Sequence, residues 1–302
     1  MDLIVFGTVF LELVFGHVPA LPAPGEEIYS DEFAMSCGGA VIVASAARRS
    51  GVQAGLCTLL GEDLGSRVAE EYCRRVGIDL APAHRVAGRT AGISVVVNFA
   101  GERAFISYLP PHHAAERRDA TRWLQVLREQ RPDWCYLHAR PAAIDLIAEA
   151  KALGTRVALD VALDRIDSAP EAVLSCAALA DLFLPNTEEL LRLAGTRSLT
   201  AALRDAASWS PQVVVKRGEH GAVVARQDGL TEVTEGLLPV EVRDRTGAGD
   251  AFAGALIGAL CHGASLTEAA AAGNAAGSDT VSKLGGVGEI EVAGLSGEVP
   301  IP

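Results

Sequence analysis

The chain has no surplus of basic charge: across 302 residues, 26 lysines and arginines stand against 38 aspartates and glutamates, a formal net charge of −12. A chain this acidic offers no basic face for nucleic acid or anionic lipid, so small molecules are the expected partners. The six cysteines, Cys37, Cys57, Cys73, Cys135, Cys176 and Cys261, include no Cys-x-x-Cys pair, which argues against a zinc site or a dithiol redox motif. They read as small hydrophobes buried in a reducing cytoplasm. No apolar run reaches the roughly 18 residues of a membrane span. The opening Met-Asp-Leu-Ile-Val-Phe-Gly has no basic n-region of a signal peptide, and a cytoplasmic, soluble protein is the expectation. Two nucleotide motifs are missing as well. There is no Gly-x-x-x-x-Gly-Lys-[Ser/Thr], and the first apolar run continues as Gly7-Thr-Val-Phe-Leu-Glu12 rather than Gly-x-Gly-x-x-Gly. Walker-type and nicotinamide sites are therefore disfavoured. Internal repeats, low-complexity tracts and linkers are also lacking.

What is present is a globular composition, 49% hydrophobic and 21% charged, in a chain long enough for one large α/β domain over residues 1–302. Short apolar runs at Leu3 to Gly7, Val52 to Leu60, Trp134 to His138, Arg156 to Leu159, Leu182 to Leu184 and Val213 to Val215 read as strands buried on both faces. Stretches with helical spacing, such as Ala142 to Leu153 and Thr187 to Ala194, separate them, and this alternation predicts a mostly parallel sheet with right-handed crossovers. Two segments break the rhythm. Residues 14–33, with three prolines and two glycines, and 89–108, turning at Ala100-Gly101, alternate like antiparallel strands. They predict a small β-strand lid, which either excludes water or pairs with a second copy as a homodimer.

The densest chemical signal is Asp244-Arg-Thr-Gly-Ala-Gly-Asp250, running directly into the apolar segment Ala251 to Cys261. Gly247, Ala248 and Gly249 allow close backbone approach and leave N–H groups free at the positive end of a helix, an arrangement that binds phosphate. Asp250, immediately after, is placed to accept the proton of an attacking hydroxyl. A plain strand-to-helix turn, with an acid favoured in the first helical turn, accounts for the same residues. From Gly247 to about Val281 the chain reads as two close-packed, Ala- and Gly-rich helices.

The order and spacing of several segments make the chain resemble the ribokinase-like, PfkB-type carbohydrate kinases over essentially its whole length. Asp244 to Asp250 matches that family's C-terminal signature, with Arg245 in place of a threonine. Val213-Val-Val-Lys-Arg-Gly-Glu-His-Gly-Ala222 resembles its nucleotide-side strand and turn, and Leu184-Pro-Asn-Thr-Glu-Glu-Leu190 its Asn-x-x-Glu segment. Gly38-Gly39 and Gly61-Glu-Asp-Leu-Gly65 fall where the family carries substrate-side turns. The resemblance implies a three-layer ribokinase-like sandwich that moves the γ-phosphoryl of ATP onto a hydroxyl of a small sugar or sugar-like alcohol. Asp250 is then the general base, without needing a raised pKa, and the amides of Gly247, Ala248 and Gly249 form the anion hole.

The same resemblance assigns Asn186 and Glu189 to magnesium and the phosphates, largely through water. Lys216, Gly218 and Asn274 go to the nucleotide, and Asp244 and Thr246, with carbonyls near Val281, Leu284 and Gly286, to a potassium-like monovalent cation. A capping box explains Asn186 and Glu189 equally, a solvated strand end explains Lys216, and a helix-surface polar position explains Asn274. The resemblance assigns the acceptor to Glu12, Gly38, Gly39 and Val43, and this side departs from the family at Glu12 and Val43. Val43 stands where an asparagine normally binds hydroxyls, Glu12 where an aspartate stands, and Ala162 where an asparagine often follows Leu159-Asp160. Losing a hydrogen bond to a buried sugar hydroxyl costs a kcal/mol or more, which disfavours ribose or fructose. The Gly-Gly segment also lacks the lysine that the family shows with phosphorylated acceptors, so a neutral sugar, a less hydroxylated polyol or a nucleoside is expected rather than a sugar phosphate. A nucleoside kinase of this fold is one alternative, and a binding or regulatory protein that has lost catalysis is another.

Overall fold

The structure is a computed structural model and describes every residue except 100, 101, 111–115, 227, 239 and 292–302, with the backbone alone at 116–120. The apolar runs form the expected sheet. Among the described residues it has eight strands, ordered β14 (Gly229–Val233), β13 (Ala222–Arg226), β12 (Val213–Lys216), β11 (Leu182–Phe183), β10 (Arg156–Asp160), β9 (Trp134–His138), β1 (Leu3–Phe6) and β4 (Ala54–Cys57). From β4 to β12 every neighbouring pair is parallel. The last two strands return antiparallel.

Because side chains alternate along a strand, each apolar run feeds two cores. Leu3 and Val5 face one helical layer and Ile4 and Phe6 the other. The first layer contains α1 (Ala40–Arg49), α2 (Leu64–Val76), α9 (Ala248–Cys261) and α10 (Leu266–Val281); the second contains α3 (Glu116–Gln130), α4 (Ala143–Ala152), α6 (Pro170–Leu179), α7 (Thr187–Ala194) and α8 (Leu199–Ala206). The short α5 (Leu163–Ser168) follows β10. Fully burying a Val, Leu or Ile contributes about 1.5–3 kcal/mol, which is why strands without a polar side survive in the middle layer.

A second sheet, in the order β3 (Glu32–Gly39), β2 (Val9–Val18), β7 (Gly92–Phe99) and β8 (Glu102–Tyr108), stands over the carboxyl ends of the first. Its boundaries differ from the expected 14–33 segment: the strands begin at Val9 and end at Gly39, and most of residues 19–31 is connection. Pro19, Pro22 and Pro24 cannot donate to a ladder, so pairing lapses there. The hairpin of β7 and β8 matches the expected second segment, while its turn at Ala100-Gly101 lies outside the described residues. The run Val52 to Leu60 divides into β4 and β5 (Leu59–Leu60), the latter pairing with β6 (His84–Arg85).

Small residues let α9 lie close to α1 and α10. A Cβ built on Gly254 would come 2.2 Å from the Val43 carbonyl oxygen, and one on Gly273 would come 2.8 Å from the Phe252 ring. Helix propensity alone makes Gly254→Ala stabilising by about 1 kcal/mol. The packing argument gives the opposite sign, a loss of roughly 1–3 kcal/mol from overpacking in urea unfolding. A more stable variant would show that this contact does not limit the helix spacing.

Candidate active site

Parallel strands point their carboxyl ends in one direction, and polar residues at those ends meet in the crevice where strand order reverses. Here β9 ends at His138, β10 at Asp160 and β12 at Lys216. Lys216 Nζ lies 2.6 Å from Asp160 Oδ2. Tyr136 donates its hydroxyl to the same oxygen at 3.2 Å and lies 3.2 Å from His138 Nε2, while the Val161 amide donates to Asp160 Oδ1 at 2.9 Å. Next to Lys216, Asn186 caps α7: its side chain accepts from the Glu189 amide at 2.9 Å, and Glu189 Oε2 accepts from the Asn186 amide at 2.7 Å. The capping box is thus formed, and both residues also line the crevice.

The facing wall is the start of α9. Gly247 is its N-cap in the left-handed region, φ 74°, and supplies no side-chain cap. A Cβ there would meet Ile42 Cδ1 at 2.6 Å and Gly286 Cα at 2.8 Å, so conformation and space both require glycine. Asp244 fixes the preceding turn. Its Oδ1 accepts from the Thr246 amide at 2.9 Å and the Thr246 hydroxyl at 2.7 Å, and its Oδ2 from the Gly285 amide at 2.8 Å. The helix therefore opens with backbone donors directed at the crevice and Asp250 in its first turn.

Two cavities meet at this point. One of about 410 Å³ lies under the second sheet and is lined by Phe10, Glu12, Ser94, Arg103, Phe105 and Ser107, with Gly39 and Ile42 below. The other, about 670 Å³, runs over the strand ends past Asp160, Asn186, Glu189, Lys216 and Gly218 to Asn274. Gly247, Asp250 and Arg103 line both. Register explains the smaller one: Glu12 pairs with Ser94 and Ser94 with Ser107, so one face of the second sheet presents alternate residues downward. The two serine hydroxyls bond each other at 2.8 Å.

Some expected residues have contacts that their spacing does not reveal. Val43 is fully buried in the packing of α1 on α9 and lines neither cavity; the residue before it, Ile42, lines the smaller one. The helical rotation of 100° per residue separates the two. Gly38 serves Glu12, since a Cβ there would lie 2.1 Å from Glu12 Oε1. Asn274 is held by two carbonyls, donating to Val233 and Glu235 at 2.9 Å each, and forms cavity wall. Asp63, of the Gly-x-Asp-x-x-Gly turn, caps α2 and accepts from the Thr90 amide at 2.8 Å. Sequence reasoning did not find Tyr136, His138 or Asp160. Their signal was available: each lies at or near the carboxyl end of a buried parallel strand, where a polar residue has no packing reason to be.

Burial sets the acidities. Asp250 is pushed up to about 7 by desolvation and by Asp160, with Lys216 opposing. Glu189 is also pushed up to about 7, chiefly by burial. Glu12, 6% exposed, is raised from 4.5 to about 7 by burial and by Asp244 and Asp250, against the Gly286 amide that donates to it at 3.4 Å. The folded chain thus holds the Glu12 proton more tightly than the unfolded chain. Stability from this group is full below about pH 4.5 and falls as pH rises to about 7. Glu12→Gln should therefore gain on the wild type by about 3 kcal/mol between about pH 5 and about pH 8 in urea unfolding. A stability difference independent of pH would refute the raised pKa of Glu12.

Comparison with known proteins agrees with this geometry. Residues 2–292 match the description "pfkB family carbohydrate kinase". An aminoimidazole riboside kinase of Salmonella typhimurium is 29% identical over 259 residues, covering 78% of this chain and 79% of the relative. A fructoselysine 6-kinase of Escherichia coli is 28% identical over 258 residues, covering 83% and 92%. In fold, the crystal structure of a putative ribokinase II from E. coli superposes with a TM-score of 0.80 at 21% identity, over 95% of this chain and 94% of the other. The fold is ribokinase-like, and the chain belongs to the pfkB family of carbohydrate kinases.

Proposed function

We propose that the protein transfers the γ-phosphoryl group of ATP to a hydroxyl of a small sugar or sugar-like alcohol, with Asp250 as general base. The carrying observation is the position of Asp250: it lines both cavities, in the first turn of an uncapped helix. An acceptor hydroxyl entering from the smaller cavity meets the carboxylate there. Donor phosphates in the larger cavity meet the amides of Gly247, Ala248 and Gly249. Positioning and charge stabilisation then supply the catalysis, without a covalent intermediate. An Asp250 pKa near 7 suits a base working near neutral pH.

Magnesium accompanies ATP in this reading and neutralises phosphate charge. The surroundings fit a cation: Asp160, Glu189 and Asp250 crowd negative charge into the crevice, and Lys216 is the lysine among them. Asn186 and Glu189 would hold its water shell, as befits an ion bound mainly by phosphate and water. The monovalent cation has a poorer fit. The Val281 carbonyl already accepts from the Arg243 and Asp244 amides, and the Asp244 carboxylate accepts three bonds. Those oxygens lock the turn before α9, and no step is assigned to potassium.

For the acceptor, Glu12, Gly39, Ser94, Ser107 and Arg103 are the polar and close-approach groups, and Phe10, Ile42, Phe105 and Leu109 the apolar ones. The two phenylalanines favour a second reading, a nucleoside whose flat base lies against them. Release of ADP across a panel of free sugars, polyols and nucleosides separates the two readings. Turnover with no acceptor, together with ATP binding, would instead support a protein that binds without catalysing. Asp250→Asn should lower kcat by about 10²- to 10⁴-fold and leave ATP affinity nearly unchanged. Normal turnover by that variant would remove Asp250 from the mechanism.

A further inference from the structure

The ammonium of Lys216 stands at the wrong end of a helix. A Cβ built on Gly249 would lie 3.6 Å from Lys216 Nζ, so the charge sits against the first turn of α9, where the helix dipole and the uncapped amides are already positive. Cations are favoured at helix C-termini and disfavoured here. The Lys216 side chain is only 12% exposed and that of Asp160 only 4%, so water does little to offset the conflict. Asp160 offsets it instead, at 2.6 Å. Asp160 is in turn fully engaged. Oδ1 accepts from the Val161 amide, and Oδ2 accepts from both Lys216 and the Tyr136 hydroxyl. Since Tyr136 spends its one proton on Asp160, the His138 Nε2–H tautomer completes the chain by donating to Tyr136. A local rule is broken in the crevice, and three residues are used to keep it broken, which marks a functional device rather than a stabilising one.

We infer that Asp160 is a positioning residue that holds the Lys216 ammonium beside the α9 N-terminus, so that the two positive groups jointly grip the phosphate chain of the donor nucleotide. An ammonium has three donors, so Lys216 can keep Asp160 and still bond a phosphate oxygen. Tyr136 sets the direction of the Asp160 carboxylate. This inference rests on the phosphoryl-transfer reading for its kinetic readout, but ATP binding tests it independently.

The test is a double-mutant cycle over Lys216→Met and Asp160→Asn, with calorimetric binding of Mg-ATP, kcat and the acceptor KM measured for each protein. Lys216→Met should weaken ATP binding by about 10- to 100-fold. Asp160→Asn should weaken ATP binding and lower kcat by about 10-fold while moving the acceptor KM less than about 3-fold. The double variant should match Lys216→Met within about 2-fold, because Asp160 acts through the lysine. If the single Asp160→Asn chain fails to fold for want of a partner to Lys216, comparison of Lys216→Met with the double variant still decides. A double variant much weaker than Lys216→Met, or an Asp160→Asn protein with wild-type ATP affinity, would overturn the inference. A wild type that binds ATP but turns over no acceptor would sink the kinase reading and leave the binding cycle to judge Asp160.

Discussion

The helix that begins at Ala248 has no side-chain cap, and the site is arranged around that uncompensated end. The first N–H groups of any helix must find acceptors in side chains, water or ligand. Gly247 removes the side-chain option, because its left-handed backbone and the proximity of Ile42 and Gly286 leave no room for a side chain. Asp244 removes another freedom by holding Thr246 and Gly285, so the turn cannot relax to cover its own amides. Water or a bound anion is the remaining partner. Close packing by small residues on α1, α9 and α10 keeps this end rigid and directed at the strand ends.

The second constraint is charge. Asp160 and Glu189, both buried, and the half-buried Asp250 line one crevice, and Lys216 is the lysine lining it with them. Charged carboxylates in such a place are costly, and at Glu189 and Asp250 the cost appears as proton affinities raised toward neutrality. Mg-ATP would change that balance by bringing both a cation and phosphates to the amides and Lys216.

Much of this was legible in the sequence. Short apolar runs marked β1, β9, β10, β11 and β12 because strands buried on both faces have no polar side to confuse the pattern, and Gly247 to Asp250 marked the helix start. Other features depend on contacts between distant segments. Val43 lies in the right motif but on the wrong side of α1, which rotation of the helix against α9 decides. The edges of the second sheet follow from prolines interrupting a ladder whose partner strand lies far along the chain. Asn274 is held by carbonyls at and just beyond the end of β14, and Asp160 and Lys216 meet across 56 residues. No local spacing encodes those pairings.

Asp250, raised to about 7 by burial and by Asp160, is the proposed base at the junction of the two cavities. The most direct measurement is the pH dependence of kcat/KM with Mg-ATP and a turned-over acceptor both below saturation, which follows the ionisation of the free protein. A base acts when unprotonated, so the rate should rise through an acid limb centred at about pH 7 and level off above it. A rate unchanged down to about pH 5 would contradict the account, because the essential carboxylate would then titrate like an ordinary exposed one.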